Sequence, residues 1–293
     1  MLERVRYYTP YAWRFLVRRD AGPLICGLSV TDRCNLHCRA CHVSSGALGD
    51  MPYGQACEIM RSAYERGCRE LYFTGGEPML WRDGERELDD LVDAARQMGY
   101  FHVHVYTNGT LGLRSSADLM WVSIDGLADV YKTRREDHFD EVEAAVRAPG
   151  HPPTAVIYVV DRLTAKGLEP FLEWVRDTSL PVAGVMIYFH TPYYGKDELY
   201  LDAAERANVI EGLLEMKARG LPIINSRAGL EALASGEWTR RMPTALVADA
   251  EGESVCCRAG DEVCPDCGYG ACTEIFAAQH LRPTAIAGMV RYL

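Results

Sequence analysis

The 293-residue sequence lacks any long hydrophobic run. No stretch approaches the roughly 18 uninterrupted apolar residues typical of a membrane-spanning helix. A charged start followed by an apolar segment, the pattern of a secretory signal, is also missing, so we expect a cytoplasmic protein. Excess positive charge is missing too: the formal net charge is −10 at pH 7, which disfavours a nucleic-acid partner held through its phosphates. Without repeats or low-complexity segments, the composition is that of an ordinary globular chain.

Cysteine, in contrast, is abundant and clustered. The chain has 11 cysteines, and eight of them fall in two groups, at positions 34–41 and 256–272. In a reducing compartment such groups indicate metal sites rather than disulfides. Cys26, Cys57 and Cys68 stand apart, and we predict that they are small core residues.

The first group, Cys34, Cys38 and Cys41, has CxxxCxxC spacing and directly follows the apolar, strand-like residues 24–30. Three thiolates on one loop can ligate three irons of a 4Fe-4S cluster and leave the fourth iron open to a substrate or cofactor. Zinc is the alternative, with His37 or His42 completing a closed four-ligand site. The spacing therefore predicts a metal centre on this loop.

Three further motifs follow other strand-like runs. They are Thr74-Gly75-Gly76-Glu77-Pro78, Tyr106-Thr107-Asn108-Gly109, and Ser123-Ile124-Asp125-Gly126 with Arg135 beyond it. With the cysteine triplet they make residues 24–190 resemble the radical S-adenosylmethionine (SAM) superfamily, which has GGEP, TNG and SxDG segments in this order. Ala40 departs from the pattern, because the position before the third cysteine is usually aromatic and contacts adenine.

The resemblance implies an enzyme. In this superfamily a reduced 4Fe-4S cluster cleaves SAM, and a 5′-deoxyadenosyl radical abstracts hydrogen from the substrate or adds to it. The substrate would be a small molecule, a lipid or a peptide, and a protein such as ferredoxin or flavodoxin would supply the electron. The alternative is a non-catalytic iron–sulfur or zinc protein that acts as a scaffold for a partner.

The resemblance also implies roles for individual residues. Cys34, Cys38 and Cys41 would ligate the cluster, and Glu77 would act near the SAM ammonium group. Arg135, with Arg134 as its competitor, would pair with the SAM carboxylate. The expected SAM-binding set is Thr74, Gly75, Gly76, Glu77, Pro78, Asn108, Ser123, Asp125 and Arg135.

Aromatic and polar side chains at the end of the last strand-like run resemble a substrate pocket. We expect His190 and Tyr194 to contact the substrate there and to belong to the catalytic residues.

The fold prediction is α/β, a partial (β/α)6 barrel with a small Cys-rich C-terminal appendage. Strand-like and helix-like runs alternate, which predicts parallel strands with right-handed crossovers and chemistry at the carboxyl ends of the strands. The predicted strands are 24–30, 70–73, 102–106, 120–124, 155–160 and 184–189, with a further one at 221–225; the predicted helices are 53–66, 85–98, 139–147, 168–177, 202–219 and 228–235.

Three segments result: a helical preface (1–23), the barrel (24–225) and an extension (226–293). The preface mixes aromatic residues with arginines, and Pro10 should interrupt any single long helix there. Packing across the barrel and weak contact with a membrane surface are its alternative roles.

The second cysteine group lies in the extension. A hairpin around Glu251-Gly252 would carry Cys256 or Cys257 toward the cysteines that follow. Neighbouring residues of a strand face opposite sides, so we expect only one of the two as a ligand. The predicted set is Cys257, Cys264, Cys267 and Cys272, holding an auxiliary 4Fe-4S cluster or a structural zinc. The tail weakly resembles those of SPASM/twitch-type or adenosylhopane-synthase-like radical SAM enzymes.

Overall fold

The computed structural model describes residues 2–20, 22–41, 46–257 and 261–292, so His42 lies outside the described residues. The strands are β1 Ile25–Thr31, β2 Glu70–Gly75, β3 His102–Thr107, β4 Leu119–Ser123, β5 Thr154–Val160, β6 Val185–Phe189, β7 Ala245–Ala248 and β8 Glu253–Val255. The α-helices are α1 Leu2–Arg18, α2 Tyr53–Glu65, α3 Leu88–Met98, α4 Ala128–Arg135, α5 Phe139–Arg147, α6 Leu168–Asp177, α7 Ala203–Ala218, α8 Arg227–Ser235, α9 Gly270–Gln279 and α10 Pro283–Tyr292.

The described strands form one sheet in the order β6-β5-β4-β3-β2-β1-β7-β8. Strands β1 to β6 are parallel neighbours in chain order, as expected for six consecutive βα units. Beyond them, β7 pairs parallel to β1, and β8 returns antiparallel to β7 as the second strand of the predicted hairpin. The hairpin thus extends the sheet past the six expected strands.

The two faces of the sheet bury different side chains. In β2, Leu71 and Phe73 belong to the large apolar core that also includes helix residues such as Leu91. Their neighbours Tyr72 and Thr74 point to the opposite, inner face, because successive residues of a strand alternate between faces. The inner face has a smaller apolar cluster of its own, made of Leu119, Trp121, Ala155, Ile157, Met186 and Ile224.

The expected strand at 221–225 does not form. Ile223 makes one isolated parallel bridge with Val185. The side chain of Asn225 then takes the place of strand backbone, since its Oδ1 accepts from Ile187 N at 2.7 Å and its Nδ2 donates to Ile187 O at 3.0 Å. A side-chain amide satisfies the edge of β6 where a further strand was predicted.

The prediction that Pro10 interrupts the first helix is wrong. Helix α1 runs through Pro10, which lies inside it. Contacts on both sides of the proline fix the helix to the body: the Tyr8 hydroxyl donates to Glu70 Oε1 at 2.5 Å, and Tyr11 Oη accepts from Gln279 Nε2 at 3.4 Å. These tertiary contacts offset the cost of a proline within a helix. None of the described helices combines the length and apolar composition needed to cross a bilayer.

The extension docks against the open side of the sheet, on β6. Phe189 N donates to Gly268 O at 2.8 Å, and Gly268 N donates to Thr191 Oγ1 at 2.9 Å. Arg206 of α7 donates to the carbonyls of Asp266 and Cys267, both at 3.1 Å. These hydrogen bonds hold the chain between residues 266 and 270 close to β6 and α7.

We predict that Gly268→Ala destabilises the protein by about 1–3 kcal/mol, because overpacking a tight contact has that cost. A Cβ at Gly268 would meet Phe189 O at 2.0 Å. Chemical denaturation measures the free energy of unfolding. The control is Gly288→Ala in α10, where a Cβ meets nothing within 4 Å. Equal stability of the two variants would contradict the docking described here.

Candidate active site

The loop after β1 carries the cysteine triplet at the carboxyl edge of the sheet. Leu36, between the first two cysteines, is buried and anchors the loop. Leu36 N donates to Cys34 Sγ at 3.4 Å, and Asn108 Nδ2 approaches the same sulfur at 3.7 Å. Burial raises the pKa values of the Cys34 and Cys38 thiols, while Cys41 is exposed. The hydrogen bonds onto Cys34 are of the kind that stabilise thiolate ligands and tune iron–sulfur centres.

Two glycines at the end of β2 allow the chain to approach this loop closely. A Cβ on Gly75, whose φ is +149°, would lie 2.0 Å from Thr31 O, and one on Gly76 would lie 2.2 Å from Arg33 O. Gly76 N and Glu77 N donate to these two carbonyls, each at 2.8 Å. The neighbouring backbone therefore requires glycine at both positions. This requirement is separate from SAM binding, the role expected from the sequence.

The carboxylate of Glu77 is fully buried and joins β2 to β3. Its oxygens accept from Thr107 Oγ1 at 2.8 Å, Asn108 N at 2.7 Å and Met79 N at 3.1 Å. Burial raises the pKa of Glu77 to about 7, against the opposing effect of these donors. The structure therefore places Glu77 as a positioning group between two motifs, and its contact with SAM remains a prediction.

The TNG and SxDG segments are placed differently. Asn108 uses its whole amide group, accepting from Thr110 N at 2.9 Å and donating to Asn35 Oδ1 at 2.9 Å. Ser123, at the end of β4, and Thr74, at the end of β2, are only partly buried. Pro78 is buried at the start of a short 3-10 helix. Of the polar groups in the predicted SAM-binding set, Thr74, Ser123 and Arg135 are partly buried, whereas Glu77, Asn108 and Asp125 are buried.

Asp125 organises a buried charge network beside the cysteine loop. Its carboxylate accepts from Arg135 Nε at 2.5 Å, Arg134 Nε at 3.1 Å and Val159 N at 2.7 Å. Arg134 also pairs with Asp161. The two arginines have separate surroundings: Arg134 bridges two aspartates, whereas Arg135 lies near enough to Cys38 to oppose the burial that raises the pKa of that thiol.

The same charge network reaches the cysteine loop through the backbone. Arg39 N donates to Arg134 O at 3.0 Å, inside the segment that separates Cys38 from Cys41. The predicted carboxylate contact of Arg135 with SAM stays a prediction, and the structure adds a partner, Asp125, that fixes the guanidinium.

The cysteines of the extension converge. Cys256 Sγ lies 3.7 Å from Cys272 Sγ, and Cys267 and Cys272 are buried together with Trp238 and Met242. Burial is the largest of the effects that raise the pKa of Cys267 to about 12, and the nearby sulfurs of Cys256, Cys257 and Cys264 add to it. All five cysteines of the group are therefore neighbours, and Cys256, which we did not choose as a ligand, is as central as Cys257.

Among the residues that the structure describes, no group of three or more His, Cys, Asp or Glu side chains is arranged to hold a metal ion. Thiolates of a 4Fe-4S cluster bind separate irons and need not converge on one point. The nature of both centres thus stays a prediction.

A cavity of about 310 Å³ occupies the inner face of the sheet. Thr74 lines it at the edge that carries the motifs, and Glu70 lines it at the opposite end of β2. Its walls are largely aromatic and apolar, and the extension contributes cysteines to them. The aromatic lining residues are Tyr72, Tyr106, Trp121, Tyr188, Tyr193 and Tyr269. A cavity of this kind is suited to a substrate with an apolar surface.

Neither predicted substrate residue lines this cavity. Tyr194 is 82% exposed, whereas its neighbour Tyr193 lines the cavity and donates a hydrogen bond to Tyr269 Oη at 2.7 Å. His190 is buried and pairs with Asp197 at 3.2 Å. Counting alternate residues past the end of β6 could have suggested Tyr193. The chain turns there, however, so no fixed alternation separates the side chains that face the cavity from those that do not.

Comparisons with known proteins agree with the motifs. The family model of the radical SAM superfamily matches residues 28–181, just over half of the chain. A probable GTP 3′,8-cyclase of Methanosarcina acetivorans is 30% identical over 187 residues, which cover 59% of this chain and 52% of the relative. A GTP 3′,8-cyclase of Geobacter sulfurreducens is 33% identical over 152 residues, 46% of each chain. The chain thus spans about half the length of these curated relatives.

Two solved structures share this fold. SuiB of Streptococcus suis, bound to its precursor peptide SuiA, superimposes with a TM-score of 0.63 at 14% identity, covering 87% of this chain and 64% of SuiB. Native anSMEcpe with bound AdoMet gives a TM-score of 0.61 at 19% identity, covering 78% and 72%. These similarities confirm the predicted α/β architecture with its parallel sheet.

We predict that Gly75→Ala lowers the free energy of unfolding by about 2 kcal/mol or more, through overpacking and an unfavourable positive φ. The displaced loop should also retain less iron after anaerobic reconstitution. Gly54→Ala is the control, because a Cβ there meets nothing within 4 Å. Iron content equal to that of the control would show that the glycine does not position the cysteine loop.

Replacing the buried carboxylate at position 125 should be more costly. Asp125→Asn leaves two arginines in the interior with one anion fewer, and breaking a buried ion pair costs about 3–5 kcal/mol. Asp129→Asn on the same segment is the control, since Asp129 is 92% exposed and its pair with Lys132 contributes little. Urea titration of both variants tests this; losses of equal size would mean that the network is not structural.

Proposed function

The chain belongs to the radical SAM superfamily, and from this membership we propose that it is an enzyme that generates a substrate radical from SAM. The observation that carries the proposal is the arrangement of the motifs at one edge of the sheet, where the GGEP turn and Asn108 both contact the cysteine loop. A scaffold protein has no need for this set of contacts.

Cys34, Cys38 and Cys41 would hold the 4Fe-4S cluster. Their chemistry fits: the three sulfurs lie on one loop and Cys34 receives N–H donors. With its open iron, the bound cluster supplies the electron that cleaves SAM to a 5′-deoxyadenosyl radical.

The surrounding residues would bind and orient SAM. Arg135, fixed by Asp125, offers a cation beside the cysteine loop for a carboxylate. Ser123 and Thr74 offer hydroxyls at the ends of β4 and β2. Glu77 would act through the turn that it positions, not as an acid or base. The buried interior excludes water and other hydrogen donors from the reacting atoms.

The cavity beneath these motifs would receive the substrate. Thr74 belongs both to the GGEP turn and to the cavity lining, so a bound molecule would lie next to the proposed SAM site. Hydrogen abstraction requires such proximity, because the radical reacts with the nearest suitable C–H bond. Some relatives are named as GTP cyclases and one structural neighbour is bound to a peptide, so these similarities do not identify one substrate. We propose a small molecule, a lipid or a peptide.

The five converging cysteines of the extension would hold an auxiliary metal centre. Cys264, Cys267 and Cys272 with Cys256 or Cys257 supply four thiolates, enough for a 4Fe-4S cluster or a zinc. Because Cys256, Cys257, Cys267 and Cys272 also line the cavity, the centre would lie in its wall.

Exposed residues of α1 concern a further partner, a membrane surface. Trp13, Leu16 and Val17 are exposed on α1 at helical spacing, beside arginines, which would support weak contact with a membrane surface. We further propose a cytoplasmic location and a ferredoxin or flavodoxin as the electron donor.

Anaerobic reconstitution with iron and sulfide tests the function. With dithionite and SAM, the wild-type chain should release 5′-deoxyadenosine and methionine. The triple variant Cys34→Ala/Cys38→Ala/Cys41→Ala should release neither, because the open iron is lost. Cys57→Ala, which removes a cysteine outside both groups, serves as the control and should retain cleavage. A wild-type chain that binds iron but does not cleave SAM would exclude the proposed activity.

Iron counting on the triple variant also separates the two centres. If the extension holds a second 4Fe-4S cluster, the triple variant should keep iron and lose it when Cys267→Ala and Cys272→Ala are added.

A further inference from the structure

His104 is a polar residue in the wall of the cavity, and it is paired in register with Tyr72 of the neighbouring strand β2. His104 is buried and its Nδ1 accepts from Trp121 Nε1 at 3.2 Å. Burial lowers the pKa of His104 to about 3, so the ring is neutral and its proton must reside on Nε2. That Nε2 has no hydrogen-bond partner among the described residues. This Nε2 is itself buried within the wall, so a molecule in the cavity does not reach its N–H.

The same cavity carries acidic groups. Glu70 is 2% exposed, and its Oε1 accepts from Tyr8 of α1. Glu274, on α9, lines the opposite wall and accepts from Ser226 N at 2.8 Å. Among the described lining residues there is no lysine or arginine. Burial raises the pKa of both Glu70 and Glu274 to about 7. Above that pH, an anion placed here would meet two carboxylates, with no cationic side chain among the described lining residues to offset the cost of leaving water.

The length of the cavity limits what it can hold. Glu70 and Thr74 both line it and lie four residues apart on β2, which corresponds to about 13 Å of extended strand. A volume of about 310 Å³ is at the small end of the range for ligand sites. A single ring-bearing group fits this space, with one end at Glu70 and the other at the GGEP turn.

We propose that this cavity binds an uncharged or cationic aromatic group, whose polar end donates a hydrogen bond to Glu70. The inference rests on the proposed function, since it names the substrate class of the same site. It also excludes a nucleoside triphosphate as the occupant: a polyphosphate needs cationic side chains, and the described lining has none. The aromatic walls would stack on the ring, and Tyr106 and Trp121 are stacked on each other at a centroid distance of 5.9 Å.

Three probes of nearly equal shape test the charge preference: benzamidinium, benzamide and benzoate. Ligand-observed NMR titration of the full chain at mildly alkaline pH, without SAM, gives their affinities. We expect benzamidinium and benzamide to bind at least about tenfold more tightly than benzoate, because like charges at close range are strongly disfavoured. GTP should not displace benzamide. Benzoate binding as tight as benzamide binding, displacement by GTP, or no binding of either favoured probe would overturn the proposal.

Two variants assign the preference to Glu70. Glu70→Gln should reduce the ratio of benzamidinium to benzoate affinity by about tenfold, whereas Glu253→Gln, a carboxylate on β8 that pairs with Arg66, should leave it unchanged. Circular dichroism checks that each variant is folded.

These measurements need neither the cluster nor SAM. Loss of SAM cleavage with intact probe selectivity would count against the proposed function only, and the reverse result would count against the substrate class only. An unchanged charge preference in Glu70→Gln would show that the Glu70 carboxylate does not select the ligand.

Discussion

The close approach of two backbone segments determines the geometry of the candidate site. The turn after β2 lies so near the end of β1 that neither Gly75 nor Gly76 has room for a Cβ. Hydrogen bonds from Gly76 and Glu77 to the carbonyls of Thr31 and Arg33 fix the point from which the cysteine loop departs. Every other contact of the loop, including the one from Asn108, depends on this departure point. A backbone constraint of this kind cannot be replaced by side-chain packing, because it allows no adjustment of rotamers.

Buried charges then connect the motifs that the backbone has brought together. Glu77 links the ends of β2 and β3, and Asp125 links β4, β5 and α4. Each carboxylate is fully buried and each has at least three donors. Buried pairs add little net stability but are costly to break, so they favour one arrangement over others. The motif carboxylates therefore hold the strand ends in register.

The six parallel βα units and the placement of the motifs at strand ends could be predicted from the sequence, because apolar runs and glycine turns repeat regularly. Other features had no such signal. Helix α4 is short, and four of its eight residues are charged. Only Tyr131 and Arg134 in it are buried, so its sequence shows no helical repeat of apolar residues. Asn225 replaces a strand by a side-chain contact that depends on β6. His104 and Glu70 looked like ordinary strand residues, since only the assembled sheet shows that both line one cavity.

The two halves of the site come from different parts of the chain, and this division explains why the cofactor is easier to infer than the substrate. All the motifs for the cluster and SAM lie within residues 28–181, the part that matches the superfamily. Much of the cavity wall lies beyond it: Tyr188, Tyr193, Tyr269 and the cysteines of the extension all follow residue 181. Glu274 belongs to that region as well, and it is one of the two carboxylates that make the cavity acidic. The match to the superfamily therefore bears on the shared chemistry of the first region, and the wall residues beyond 181 lie outside it. The cavity is thus assembled from both regions, with Glu70 from the first and Glu274 from the second.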